Sequence, residues 1–323
     1  MREIAIGIDL GGTSIKFAFL TREGEIIKQW AIPTPVDSDG RLIIPFIIRS
    51  IKENIEESTL LPAQIVAIGM GSPGSVNREK GTVIGAFNLN WIKTVYVKEQ
   101  MEEAFQIPFI LDNDANVAAL GEQWLGAGQN DPNVVFLTLG TGVGGGVIVK
   151  GELVHGFLDT AGEIGHLKVE NEGFTCTCGQ VGCLETVASA TGIVAVAKKE
   201  ARGYMDSSVL AKTILDGRVI TSKSIFESAK LKDPFAEHVL SIVGRYLGVA
   251  CANIANVLNP STIILGGGVS KAGNLLLSYV VPNFERNAFP TIAKRTAIKI
   301  ATLENDAGVL GAASLAFESA DKT

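Results

Sequence analysis

No run of about 18 uninterrupted apolar residues occurs in the 323-residue chain, which argues against a membrane-spanning helix. The apolar stretch after Met1 reaches Asp9 too soon for the core of an export signal. Basic residues are not in excess. The 28 Lys and Arg stand against 34 Asp and Glu, a formal charge of −6, so a nucleic-acid partner is not expected. There is no GxxxxGK followed by Ser or Thr, which excludes an ordinary P-loop. No Pro- or Ser-rich linker divides the chain. Cysteine is scarce: three of the four, Cys176, Cys178 and Cys183, lie within eight residues, and Cys251 stands alone. Without an export signal, such a group reads as metal-binding before disulfide. A soluble cytoplasmic protein is the expectation, and the 46 % hydrophobic content is ample for a sizeable core.

Glycine is abundant instead, with 36 residues, about 11 % against a usual ~7 %. The glycines cluster in short runs, which means tight turns and close backbone approach to something. Residues 4–8 are an Ile-rich run expected as a buried strand, turning at Gly11-Gly12-Thr13 into a strand at 15–19 and a third ending at Pro33. Segment 41–58 places Ile44, Ile47, Ile48, Ile51 and Ile55 on one helical face. Strands are expected at 65–70 and 108–111, helices at 98–105 and 115–126. A second unit begins at 134, with strands at 134–139 and 144–149. Segments 4–20 and 134–150 both read as strand, Gly- and Thr-bearing hairpin, strand, so two similar α/β halves facing each other are the economical reading. Helices are expected at 187–201, 207–215, 221–231, 233–258 and 269–284, strands at 262–265 and 297–302, and a closing helix at 306–318. Crossings near 113–120 and 303–306 would join a unit of 1–115 plus 304–323 to a unit of 116–303.

Five constellations carry chemistry. Asp9-Leu10-Gly11-Gly12-Thr13 sets a carboxylate at a strand end before a turn whose amides can meet phosphate oxygens. The carboxylate can orient a hydrated Mg²⁺, and Lys16 adds charge nearby. An ordinary hairpin is the alternative. Gly140-Thr141-Gly142 opens a second such turn, with a bulged hairpin as its alternative. Gly266-Gly267-Gly268 ends a strand and can admit the flat face of a base, or merely make a tight turn. Asn113 and Asp114 stand at a strand-to-helix junction, where either can be an N-cap, or where Asp114 can accept a hydroxyl proton during phosphoryl transfer. His166 with Cys176, Cys178 and Cys183 matches a closed tetrahedral Cys₃His zinc site, structural because no coordination position stays open. That loop also carries Glu163 and Glu185. His155 and His238 are isolated and expected as solvated or core histidines; Cys251 is expected in the core.

The chain resembles the ROK family of sugar kinases, most closely its bacterial glucokinases. The resemblance spans the chain through DLGGTSIK (9–16), GSPG (71–74), FNLNW (87–91), DNDAN (112–116), LGTGVGGG (139–146), AGEIGH (161–166), CTCGQVGCLE (176–185) and ILGGGVS (264–270). It implies an α/β fold of two ribonuclease-H-like domains, of the actin and hexokinase type, around a cleft, with a zinc-binding loop. It implies ATP-dependent phosphorylation of glucose in glycolysis. Asp114 would be the base on the 6-hydroxyl, and Gly74, Asn88, Asn113, Glu163, His166 and Glu185 would hold the sugar. Asp9, Gly11, Gly12, Thr13, Lys16, Gly140, Thr141, Gly142, Gly266, Gly267 and Gly268 would bind ATP and Mg²⁺. A homodimer, possibly a tetramer, is implied too. FNLNW and the unbroken cysteine motif followed by TVASATGI lean towards glucose. Another ROK hexose or N-acylmannosamine kinase is the alternative, followed by a non-catalytic sugar sensor. ROK repressors carry an N-terminal DNA-binding segment, for which a first loop at Asp9 leaves no room.

Overall fold

The apolar runs fold as strands because their Ile, Val and Phe residues suit a pleated surface buried on both faces. The computed structural model describes residues 2–58 and 60–321. β1 (Ile4–Leu10), β2 (Ser14–Thr21) and β3 (Ile26–Pro33) form an antiparallel meander. Helix α1 (Ile43–Glu57) leads to β4 (Ile65–Ser72), which lies parallel to β1. Three short strands, β5 (Ser75–Asn77), β6 (Thr82–Ile84) and β7 (Val95–Tyr96), make a separate antiparallel sheet that the sequence pattern did not disclose. Helix α2 (Val97–Phe105) and strand β8 (Phe109–Asn113) complete a first sheet of order β3-β2-β1-β4-β8.

Helix α3 (Asp114–Trp124) carries the chain to the second sheet. There β9 (Val134–Leu139), β10 (Val143–Val149) and β11 (Glu152–Leu153) form another meander. Helices α4 (Glu185–Ala188), α5 (Ala190–Ala201), α6 (Val209–Leu215), α7 (Ser222–Lys230) and α8 (Pro234–Leu258) precede β12 (Thr262–Gly266), parallel to β9. Helices α9 (Gly267–Ser270), α10 (Asn274–Asn287) and α11 (Pro290–Ala293) lead to β13 (Ala297–Ile300), parallel to β12. The second sheet has the order β11-β10-β9-β12-β13. Both sheets are thus one topology used twice, a three-stranded meander followed by two parallel strands.

Helix α12 (Ala307–Ala320) returns to the first sheet, where Val309, Ala313, Ala316 and Phe317 pack on Ala5, Ala18, Leu20 and Ala67. The opposite face of that sheet is covered by the Ile43, Ile44, Ile47 and Ile51 stripe of α1. Between the sheets, Val117 and Leu120 of α3 meet Phe136 and Ile264 of the second sheet and Ala312 and Leu315 of α12. The α3–α12 pair is therefore the seam of the molecule. Its closeness depends on missing side chains: a Cβ on Gly311 would stand 1.7 Å from the Val117 carbonyl oxygen. One on Gly69 of β4 would stand 1.8 Å from that of Ala312.

Among the described residues, α8 is long and apolar enough to cross a membrane by length and composition, although 61 % of its apolar window is buried inside the protein. Cys251 lies there, fully buried. The Gly69→Ala variant must lift α12 from β4, and a loss of about 2–3 kcal/mol is expected. Urea denaturation measures it, and an unchanged midpoint would refute the backbone-to-backbone seam.

Candidate functional site

Asp114 opens α3 directly after β8, because Asn113 is an N-cap whose Oδ1 accepts the Ala115 amide at 2.9 Å. Asp114 Oδ1 accepts the same amide at 2.9 Å. Burial pushes the Asp114 carboxyl above the usual carboxylate range, opposed by the Ala115 and Asp114 amides and the Asn113 side chain, while Glu163 pushes it further up. Asp114 faces a cavity of about 230 Å³, lined by Gly74, Ser75, Val76, residues 113–116, Gly144, Gly145 and residues 159–163. That is below the roughly 300–1,000 Å³ of drug-sized sites and suits a ligand of monosaccharide size.

Four of the residues assigned to the sugar meet there: Gly74, Asn113, Asp114 and Glu163. His166 stands at the margin, its Nε2 3.7 Å from Glu163 Oε2. Glu185 is turned away. Its Oε1 accepts from the Cys176 thiol at 3.3 Å and the Thr177 hydroxyl at 3.4 Å, and its Oε2 accepts the Val143 amide at 3.2 Å. Asn88 is exposed and lies against Gly12, where an added Cβ would stand 3.1 Å from its Nδ2. The cavity also uses Asp159 and Thr160, for which the sequence carried no signal.

The two glycine turns occupy equivalent places, between the first two strands of each sheet. The Gly11 amide donates to the Ser14 carbonyl at 3.0 Å and the Gly140 amide to that of Gly142 at 2.9 Å. The start of α5 braces the second turn: Thr191 Oγ1 donates to the Thr141 carbonyl and the Ala190 amide to that of Gly140, both at 2.8 Å. Gly267, at φ +79°, rests on the Leu139 backbone, and Gly268 faces open space. Beside the first turn, Thr13 is exposed and Asp9 is set against the first turn of α12, near Gly308. Burial pushes the Asp9 carboxyl up to about 6; Lys16 opposes this, while Asp114 and Asp306 add to it. Lys16 Nζ is 3.8 Å from Asp9 Oδ2. A half-buried carboxylate with one cation at 3.8 Å has an electrostatic reason to take up a hydrated Mg²⁺.

The four metal-ligand candidates converge, with their ligand atoms all within 4.8 Å of one another. Cys178 and Cys183 Sγ are 3.7 Å apart, and Cys176 Sγ is 3.5 Å from His166 Nδ1. Ligands around a tetrahedral zinc are about 3.5–3.8 Å apart, so the set fits that ion. Burial pushes the Cys183 thiol up to about 12, and hydrogen bonds to Cys178 and Cys176 add to this. A bound cation would offset the cost of ionising it.

His155 departs from the sequence expectation. It is neither isolated nor merely solvated, but packs in a charged cluster with Asp112 and Arg78. His238 makes an ordinary surface pair with Glu200 at 3.0 Å.

Paired glycine turns on a duplicated α/β topology, beside a carboxylate-lined cavity of monosaccharide size, define a protein of the sugar-kinase class. The chain belongs to the ROK family, whose sequence pattern matches residues 5–319. It is 44 % identical over 307 residues to a glucokinase of Halalkalibacterium halodurans, covering 95 % of this chain and 92 % of that one. A ROK hexokinase of Thermus thermophilus superposes with a TM-score of 0.85 at 28 % identity, over 99 % of this chain and 100 % of that one. A ROK glucokinase of Streptomyces griseus, in complex with glucose and AMPPNP, superposes at 0.76 with 33 % identity, over 98 % of this chain and 99 % of that one.

Asp9 links the site to stability. Its folded pKa, about 6, lies above the ordinary value of 3.8, so the folded chain binds this proton more tightly than the unfolded one. The contribution is therefore complete below about pH 4 and lost as pH rises through 6, by up to about 3 kcal/mol. Asp9→Asn removes the dependence. Without Mg²⁺, the variant should gain stability over the parent between pH 4 and 7, as read by denaturant midpoints; parallel profiles would refute it.

Proposed function

We propose that this chain transfers the γ-phosphoryl group of ATP to the 6-hydroxyl of glucose, giving glucose 6-phosphate, with Asp114 as the base. One observation carries the assignment: a half-buried carboxyl of raised pKa opens a helix at the wall of a monosaccharide-sized cavity. The likeness to the two glucokinases supports it. A carboxyl raised above the ordinary range holds a proton more strongly than an ordinary one. In a loose transition state its first task is to orient the hydroxyl, and proton transfer follows late. Asn113, held as N-cap, keeps the neighbouring amide oriented.

Gly74, Asn113, Glu163 and His166 would hold the sugar hydroxyls, joined by Asn88 and Glu185 when the units 1–115 plus 304–323 and 116–303 close. Closure would also exclude water, which otherwise competes as acceptor. Gly11, Gly12 and Thr13 with Lys16 would serve one phosphate end of ATP, Gly140, Thr141 and Gly142 the other, and Gly266, Gly267 and Gly268 the adenosine. Mg²⁺ bound with ATP supplies charge neutralisation, and Asp9 would hold its hydration shell. Zinc on His166, Cys176, Cys178 and Cys183 would be structural, fixing the His166 ring while Nε2 faces the sugar side. A homodimer in the cytoplasm, where ATP is available, completes the reading.

ADP release across glucose, mannose, fructose, allose and N-acetylmannosamine tests the substrate. Glucose should lead; a clear preference for another sugar would correct the pocket reading, and no release with any would refute the kinase. The Asp114→Asn variant should lose about 10²–10⁴-fold in kcat while still binding glucose by calorimetry. Full turnover in it would sink the base assignment. The parent should carry one zinc per chain by elemental analysis, and Cys178→Ser should lose it together with glucose affinity. A metal-free, fully active parent would refute structural zinc.

A further inference from the structure

His155 has no role in the reading above, yet it lies at the centre of a part-buried charged cluster. Its Nε2 is 2.7 Å from Asp112 Oδ2, and its Nδ1 is 3.1 Å from Arg78 Nη1. A guanidinium only donates, so Nδ1 accepts and the ring proton sits on Nε2, donated to Asp112. Arg78 Nε lies 3.0 Å from the same carboxylate oxygen without the alignment of a hydrogen bond, so that contact is ionic. Asp112 is 1 % exposed. Its Oδ1 accepts the Asn113 amide and Asn116 Nδ2, both at 2.8 Å. Asn113 and Asn116 flank Asp114 at the start of α3. A carboxylate held at both oxygens cannot turn alone, so its orientation is passed to that corner.

The three partners come from separate parts of the chain. Arg78 follows β5, Asp112 is in β8, and His155 follows β11. The stretch that carries His155 runs on to Asp159, whose Oδ2 accepts the Arg78 amide at 3.3 Å, and then to the cavity wall up to Glu163.

We propose that His155 is a positioning residue. With Arg78 it pins Asp112, and through Asp112 it aims Asp114, so that the base is in register only while the 159–163 wall is in place. This rests on Asp114 being the base. Kinetics of His155→Ala and His155→Gln test it, because a glutamine amide can donate to Asp112 and accept from Arg78. His155→Ala should lose about 10–100-fold in kcat, the scale of a misplaced group, with the KM for glucose within about threefold. His155→Gln should recover to within about threefold of the parent.

On an Asp114→Asn background, His155→Ala should leave the residual rate unchanged, since the group it aims is gone. Should His155→Ala fold poorly, Arg78→Leu, at a side chain 34 % exposed, carries the same test with the same kcat-only loss. An unchanged kcat, a loss confined to KM, an equal loss in His155→Gln, or a further tenfold or so drop on the Asp114→Asn background would each overturn the proposal. A parent inactive on every sugar of the panel, or a fully active Asp114→Asn, would overturn the base assignment and this inference with it.

Discussion

Direct backbone contact between α12 and its neighbours is the constraint on which the rest of the structure hangs. Gly311 lets α12 meet α3, and Gly69 lets it meet β4, each at a separation that no side chain would tolerate. With these contacts made, the last helix of the chain belongs to the first sheet, and α3 is held between the sheets. Both helices begin at the site. α3 opens with Asp114, and the first turn of α12 lies against Asp9. The packing that holds the halves together therefore also sets the spacing of the two carboxylates.

Three aspartates near this seam are handled differently. Asp112 is compensated by Arg78, His155, a backbone amide and an asparagine. Asp114 receives amides but no cation, and burial raises its pKa. Asp9 has only Lys16, at 3.8 Å, and its pKa is raised to about 6. A compensated carboxylate orders its surroundings, whereas an uncompensated one is reactive towards a proton or a cation. Asp112 falls in the first group, and Asp114 and Asp9 in the second.

The cysteine loop adds a second meeting point. The four ligand atoms gather although their residues span only 166–183, because the small bridge between Thr175 and Val181 folds the loop back on itself. His166 and Glu185 flank it, and Glu185 reaches from it to the amide of Val143 beside the second glycine turn. The proposed sugar residues and the second glycine turn are thereby attached to one local unit.

Much of this was legible along the chain because it is local. Ile-rich runs, helical spacing in 41–58, the two glycine hairpins, the Cys₃His spacing and the cap at Asn113 all depend on residues within a few positions of one another. Their chemistry therefore appears in the order of the letters. The strands of 75–96 are too short for a period to show. The partners of His155 lie 43 and 77 residues away in sequence, so nothing near it marked the cluster. The raised pKa of Asp9 and the present directions of Asn88 and Glu185 follow from burial and neighbours that exist only once the sheets are packed. The amino-acid sequence by itself determined the class, the repeat and the candidate chemistry. The tertiary structure alone decided which of those groups share a cavity and how each charge is compensated, because solvation and long-range contact are properties of the packed molecule.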